Sequence, residues 1–358
     1  KYATDQLFQQ RVDEAVLRIL ELKLRLYGSD FSIEAMLPSE PIAPVDTKIS
    51  IVDVGQAAIT LLSPSADELA EQFSSPPIAS DKIAIFTDMR YGQQCADCEP
   101  VPYIGETALA DAILRLYGPE ASGQAQAEQI SSYSFTDLQA FLDAGDGAGI
   151  LPETIAPELE EVVTDTVEAA TAVPTPTPPA AFRVNATLEE ADWIIFALLG
   201  DDEETAALHN FLADRPDIIR NSHVIVFSYN APYFLDSTEV SKLTAYFGVY
   251  SKIDAFVDAS VRALYLESPL SGKPPVSVAG INYDLAVQTA PDPAQVIELF
   301  IADINGDMLS PESNAPLQTA VGDTLLLQTG IILDKNGNPV PDGTMVRFME
   351  RNLVQGTE

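Results

Sequence analysis

Glu190-Ala191-Asp192-Trp193-Ile194-Ile195-Phe196-Ala197-Leu198-Leu199-Gly200 is the stretch whose reading decides the fold. From Trp193 to Leu199 no side chain is charged or amide-bearing. Alternate residues of a strand face opposite ways, so a run apolar at every position reads as a central strand buried on both faces. Two further runs, Lys82–Thr87 and His223–Ser228, are apolar between polar end residues and read as buried strands as well. Between and around them lie amphipathic helical patterns. Glu106–Tyr117 is stopped by Gly118-Pro119, Thr136–Ala144 has Thr136 as a candidate N-cap, and Glu203–Leu212 and Ile253–Tyr265 follow. Short strand patterns complete the alternation at Ile59–Leu62, Gln129–Phe135 and Leu243–Tyr250, with a short helix at Asp53–Ala58. Strands alternating with helices predict an α/β domain over residues 48–285, a mostly parallel sheet sandwiched by helices.

Outside this domain the pattern changes. Residues 5–27 carry apolar side chains at mostly helical spacing, from Leu7 and Phe8 to Leu24 and Leu26, and Gly28 follows as a stop. Residues 31–47, with Pro38, Pro41 and Pro44, read as an extended linker. An insertion at about 145–185 opens with Gly145, Gly147 and Gly149. It continues through the acidic stretch Glu158–Glu168 and ends on Pro174-Thr175-Pro176-Thr177-Pro178-Pro179, a stiff spacer. Beyond Gly280 the strand-like runs are Val296–Ala302 and Asp323–Thr329. They are followed by the turn-rich Asp334-Lys335-Asn336-Gly337-Asn338-Pro339-Val340-Pro341-Asp342-Gly343-Thr344.

The 358 residues carry 54 acidic and 19 basic side chains, a formal net charge of −35. Such a surface repels nucleic acid and anionic lipid headgroups. No stretch is long and apolar enough to span a membrane as a helix. The two cysteines, Cys95 and Cys98, form a single C-x-x-C in a loop. They lack the second ligand pair of a structural zinc site and the helix N-terminus of a redox motif; the exposed, Pro-flanked loop favours a local disulfide, with free thiols and metal or redox chemistry as the alternatives. No metal site and no cofactor are expected: dinucleotide, Walker A and nucleophile-elbow patterns are absent from the sequence. Asp303–Asp307 lacks the glycine and glutamate spacing of a calcium loop and reads as a turn.

Several segments, in order, resemble the C-terminal part of family 3 glycoside hydrolases. They are the helix bearing Ile19-Leu20-x-x-Lys23, Ala58-Ile59-Thr60-Leu61-Leu62, Glu190–Ile195, the turn Ser228-Tyr229-Asn230-Ala231-Pro232-Tyr233, and Ser271-Gly272-Lys273-Pro274-Pro275-Val276-Ser277-Val278. The Tyr233 turn leans towards the β-N-acetylglucosaminidase branch. The resemblance implies that residues 1–30 hold the last helix of a catalytic barrel. It also implies that 271–278 is the closing strand of the α/β domain, and that the catalytic residues belong to the barrel. Retaining cleavage needs a carboxylate nucleophile and an acid/base about 5 Å apart, and the family's barrel motifs do not occur in this sequence. No catalytic residue is therefore assigned here. His209 and His223 read as structural. Residues 286–358 resemble the opening strands of a bacterial immunoglobulin-like, invasin-type domain and fall short of its usual length.

Open α/β sheets bind ligands beyond the carboxyl ends of their strands. That rule nominates Thr87-Asp88-Met89-Arg90 after the Lys82 strand and Ser228–Tyr233 after the His223 strand, with Asp88, Arg90 and Tyr233 as the candidate contacts. Asp88 and Arg90 either reach a sugar hydroxyl or pair with each other. Two functions remain open. The chain is the non-catalytic C-terminal portion of a secreted retaining glycosidase for β-linked N-acetylglucosaminides or glucosides, or it is a non-enzymatic cell-surface or assembly protein that reuses the α/β scaffold. Both predict an extracellular or bacterial cell-surface location. Both also predict a partner over the 5–27 helix, either the barrel or another protein chain, and carbohydrate remains a possible ligand.

Overall fold

The computed structural model describes residues 2, 4–28, 32, 48–72, 75–151, 177–200, 202, 205–302, 322, 324 and 326–349. Two compact units emerge, Lys1–Ser50 and Ile51–Glu358. The first contains helix α1, Gln6–Tyr27. Asp5 caps it by accepting from the Phe8 amide, and Gly28, at φ 62°, ends it with its amide on the Leu24 carbonyl. None of its residues is buried.

The second unit is built on a six-stranded sheet. Its strands are β1 Thr60–Ser63, β2 Ile83–Thr87, β5 Ile130–Ser134, β6 Trp193–Leu198, β7 His223–Ser228 and β8 Ala245–Gly248, in the spatial order β1-β8-β7-β6-β2-β5. All pairs are parallel except β1–β8, which is antiparallel. The three strands formed from these mainly apolar runs lie side by side at its centre. Ile85 sits opposite Ile195, and Ile195 opposite Ile225. Every residue of β2 and β6 is buried, as their uninterrupted apolar character requires.

The two faces of β6 feed two cores. Trp193, Ile195 and Ala197 pack towards helices α4, Ala108–Tyr117, and α10, Asp254–Leu264, through Leu109, Ile113, Val257 and Val261. Ile194, Phe196 and Leu198 pack towards α5, Phe135–Ala144, α6, Ala180–Leu188, and α7, Ala206–Asp214. The remaining helices are short or peripheral: α2 Lys48–Ala58, α3 Ala66–Gln72, α8 Pro216–Ile219, α9 Ser237–Val240 and α11 Leu285–Gln288.

Several expectations are corrected. The N-cap of α5 is Ser134, not Thr136. Ser134 is extended (φ −84°, ψ 166°), accepts from the Asp137 amide, and donates its own amide to Asp137, a reciprocal box that starts the helix. α7 begins at Ala206, because the Thr205 hydroxyl folds back on Asp202. Residues 271–277 are not a strand. Gly272 instead passes so close to the start of β1 that a Cβ there would stand 2.5 Å from the Ala58 carbonyl oxygen, and its amide reaches the Ile59 carbonyl. A single helical turn, α11, follows Gly280, where only strand character is expected.

The segment after 286 contains a two-stranded antiparallel sheet, β9 Leu299–Ala302 with β10 Leu326–Thr329. Bridges also join Pro291 to Asp334 and Leu333 to Pro339. That is the extent of its regular β structure among the described residues. The linker apart from residue 32, the acidic stretch Glu158–Glu168 and Asp303–Asp307 lie outside the described residues.

Candidate functional site

Chain order puts a reversal at the centre of the sheet. After β2 the chain crosses to β5 on one side, then returns to β6 on the other. The crevice beyond the carboxyl ends of β2 and β6 is therefore the topological switch point, where loops diverge and open α/β sheets take their ligands.

Asp88, the first residue after β2, is completely buried there. Its Oδ2 accepts from the backbone amides of Leu199 (2.9 Å) and Gly200 (3.0 Å), just past the end of β6. The same carboxylate receives Arg90 Nε at 3.0–3.1 Å on both oxygens. Burial lifts the Asp88 carboxyl above its ordinary value, opposed by the Leu199 amide, Arg90 and the Gly200 amide. Arg90 Nη1 also pairs with Asp202 at 2.8 Å. The guanidinium lies over Gly200, where a Cβ would stand 2.3 Å from it, so only glycine leaves room. The two nominated residues thus pair with each other. Asp88 is closed to ligands, and one quarter of the Arg90 side chain stays exposed.

Tyr233 stands after β7, 60% exposed, with its ring edge-on to Phe234. Its turn is tied to the switch point through Asn230, whose side-chain amide donates to the Leu199 carbonyl. Beside Asp88 a cleft of about 300 Å³ opens towards β5, lined by Met89, Tyr91, Glu106, Ser134 and Thr136. Burial, then the nearby Asp137 carboxylate, raise the Glu106 carboxyl, while Arg183 opposes them. A larger furrow of roughly 410 Å³ lies between α4 and α10.

One wall of this edge is a hairpin, β3 Tyr91–Gly92 with β4 Val101–Pro102. Cys95 and Cys98 are joined in a disulfide at its tip, with Cα atoms 5.1 Å apart. Both histidines have packing partners: His209 Nδ1 is 2.6 Å from Glu239, and the His223 ring stacks on Trp193 at 4.3 Å. Among the described residues no three His, Cys, Asp or Glu side chains group so as to hold a metal ion.

Sequence reasoning did not single out Asp202, Gly200 or Glu106, and it reached Asn230 only as part of the Ser228–Tyr233 turn. The available signal was Gly200 standing immediately after an all-apolar strand, where a backbone approached closely by a neighbour is expected.

No protein-family model matches the chain, and no curated protein matches it. Solved structures resemble it in part. One is a fungal multi-domain family 3 β-N-acetylglucosaminidase that also carries a glucosamine N-acetyltransferase region, with 11% identity, 82% of this chain and 25% of that chain covered, and a TM-score of 0.41. A family 3 β-N-acetylglucosaminidase from Paenibacillus sp. is 14% identical over 76% of this chain and 40% of its own, with a TM-score of 0.37. The β-glucoside phosphorylase BglX is 17% identical over 75% and 38%, with a TM-score of 0.37. The chain spans less than half the length of each of these three.

Proposed function

We propose that the chain is the non-catalytic C-terminal portion of a secreted retaining glycosidase acting on β-linked N-acetylglucosaminides or glucosides. The supporting observation is the switch-point site. A buried carboxylate, two backbone amides and a glycine hold one guanidinium in a fixed place at the mouth of the sheet. Fixing Arg90 this way spares most of the ordering entropy that a free arginine loses on gripping a ligand. Arg90 and Tyr233 supply the two contacts a sugar uses, hydrogen-bond donors for hydroxyls and an aromatic face for C–H surface. Asp88 positions Arg90.

The nucleophile and acid/base come from a barrel of which α1 is the last helix. The apolar residues of α1 (among them Phe8, Val16, Leu17, Ile19, Leu20, Leu22, Leu24 and Leu26) are exposed. At 3.6 residues per turn they cover well over half the circumference. A single partner helix covers a narrow stripe, whereas an outer-ring barrel helix packs on the strands beneath it and on a neighbouring helix at each side, which together cover a wide arc. The segment after 286 belongs to an immunoglobulin-like spacer, consistent with an extracellular or cell-surface setting. The rival reading, a non-enzymatic surface protein, draws on the exposed apolar residues Leu299, Leu326 and Leu327 of β9 and β10, which suit assembly.

The test is turnover of chromogenic β-N-acetylglucosaminide and β-glucoside by the 358-residue chain and by a longer protein that includes the upstream barrel. Activity in the longer protein alone is expected. Turnover by the 358-residue chain that disappears when one of its own carboxylates is replaced would overturn the reading, as would a longer protein inert on every β-glycoside offered.

A further inference from the structure

We propose that the Cys95–Cys98 disulfide is a thiol-sensitive latch on the hairpin that walls the carboxyl-edge cleft. The inference stands on the geometry of the hairpin and does not depend on the glycosidase reading. The hairpin is held at two places of different character. Its base is anchored by packing. The Tyr103 amide donates to the Arg90 carbonyl at 2.8 Å, and the Tyr103 ring lies against Gly92, where a Cβ would meet it at 2.6 Å. Lys252 Nζ sits 3.8 Å from the centre of that ring. These contacts connect the base to the Asp88–Arg90 site and to the loop between β8 and α10.

The tip, residues 93–100, contributes nothing to the buried core. It is restrained by the disulfide and by three solvent-facing hydrogen bonds. The Cys98 amide donates to the Cys95 carbonyl at 3.1 Å, and Gln93 Nε2 donates to the carbonyls of Ala96 (3.0 Å) and Cys98 (2.7 Å). Hydrogen bonds open to water contribute little net order. The covalent link is therefore the restraint that makes the tip a single turn, and breaking it frees the tip while leaving the base in place.

Cys95 is exposed and Cys98 half-buried, so an incoming thiolate meets Cys95 Sγ first. The thiolate of a low-molecular-weight thiol forms a bond to Cys95 Sγ as the Sγ–Sγ bond breaks, and Cys98 leaves as a thiolate that takes a proton from water. A second thiolate then attacks the small-molecule sulfur of the mixed disulfide and expels Cys95 as a thiolate, which is likewise protonated. Two small thiols are oxidised to their disulfide, and the protein disulfide is reduced to two thiols. Asp97 stands between the cysteines and Glu99 follows them, on a chain of net charge −35. Those charges repel an anionic thiol and disfavour the departing Cys98 thiolate, so the latch discriminates reductants by charge.

The experiment is amide hydrogen exchange on the whole chain, oxidised, reduced with dithiothreitol, and as the Cys95→Ser/Cys98→Ser double variant. The expected result is at least about tenfold faster exchange of the Cys98 amide and its neighbours within 93–100 in the reduced and variant proteins, with Tyr103 and Ile83–Thr87 unchanged. Exchange that stays within twofold across all three forms would overturn the proposal. So would acceleration throughout Ile83–Thr87, which would make the bond a staple of the fold. In parallel, the rate of reduction should fall from cysteamine (cationic) to mercaptoethanol (neutral) to glutathione (anionic) at low salt, and the spread should collapse at about 1 M salt. Equal rates at low salt would contradict the charge discrimination.

Discussion

The two ends of the six-stranded sheet use the same residue types for opposite purposes. At the amino end, Asp192 accepts from the Lys82 amide at 2.8 Å, and Asp81 accepts from Trp193 Nε1 at 3.0 Å. Lys82 pairs with Glu190 in the open. The charged groups here sit at strand entrances and keep contact with solvent, Asp192 exposed and Asp81 and Lys82 half-buried. At the carboxyl end, Asp88 is fully buried, and its two oxygens take two backbone amides and an arginine. An ion pair in water is worth little, whereas a buried charge is held only by near-complete hydrogen bonding. The amino end thus stabilises at low cost, and the carboxyl end accepts a desolvation penalty to fix one guanidinium in place. Costly placement of that kind is more typical of binding sites than of scaffolding.

Substitutions at the two ends should therefore differ in size and in kind. The largest effect is expected from Asp88→Ala, which leaves Arg90 and the Leu199 and Gly200 amides without their shared acceptor. A loss of about 3–5 kcal/mol in urea unfolding is expected. A loss below about 1 kcal/mol would place Asp88 in the same class as the amino-end carboxylates.

Gly200→Ala comes next. The new methyl would stand 2.3 Å from the Arg90 guanidinium. Because Arg90 is long and partly exposed, stability should fall by only about 1 kcal/mol while the guanidinium is displaced. A crystal structure or arginine side-chain NMR of the variant reads the displacement, and an unmoved Arg90 would refute the close packing described for this site. The smallest effect belongs to Asp81→Asn, which keeps an acceptor for Trp193 Nε1 in a partly buried setting. A change within about 1 kcal/mol is expected in the same unfolding assay.

The parallel core was legible because its signal is local. Trp193–Leu199 is apolar at every position, and Lys82–Thr87 and His223–Ser228 are apolar between their polar end residues, a pattern that burial on both faces accommodates. The direction of β1 was not legible. Ile59–Leu62 looks like any short strand, and its antiparallel pairing with β8 follows from the route of the chain rather than from its own residues. Capping was misplaced by two residues, because Ser134 and Thr136 are both good caps and the choice turns on Asp137 closing a box with Ser134.

The nomination of Asp88 and Arg90 rested on their position just past the carboxyl end of a strand. The inward turn of Asp88 towards the end of β6 could not be seen in sequence, since Leu199 and Gly200 lie more than a hundred residues away. Asp202, Asn230 and Glu106 joined the site for the same reason. Their roles come from loops that meet only once the sheet has formed.

The most direct test of the account is kcat/KM of a longer, barrel-containing protein on a chromogenic β-N-acetylglucosaminide, measured for Arg90→Ala and for Asp81→Asn, with urea unfolding showing both variants folded. The account predicts that Arg90→Ala loses roughly ten- to a hundredfold, the equivalent of one or two charge-assisted hydrogen bonds to the ligand, while Asp81→Asn keeps the parent value. Equal kcat/KM values for the two folded variants would contradict the claim that the carboxyl end is the working end of the sheet.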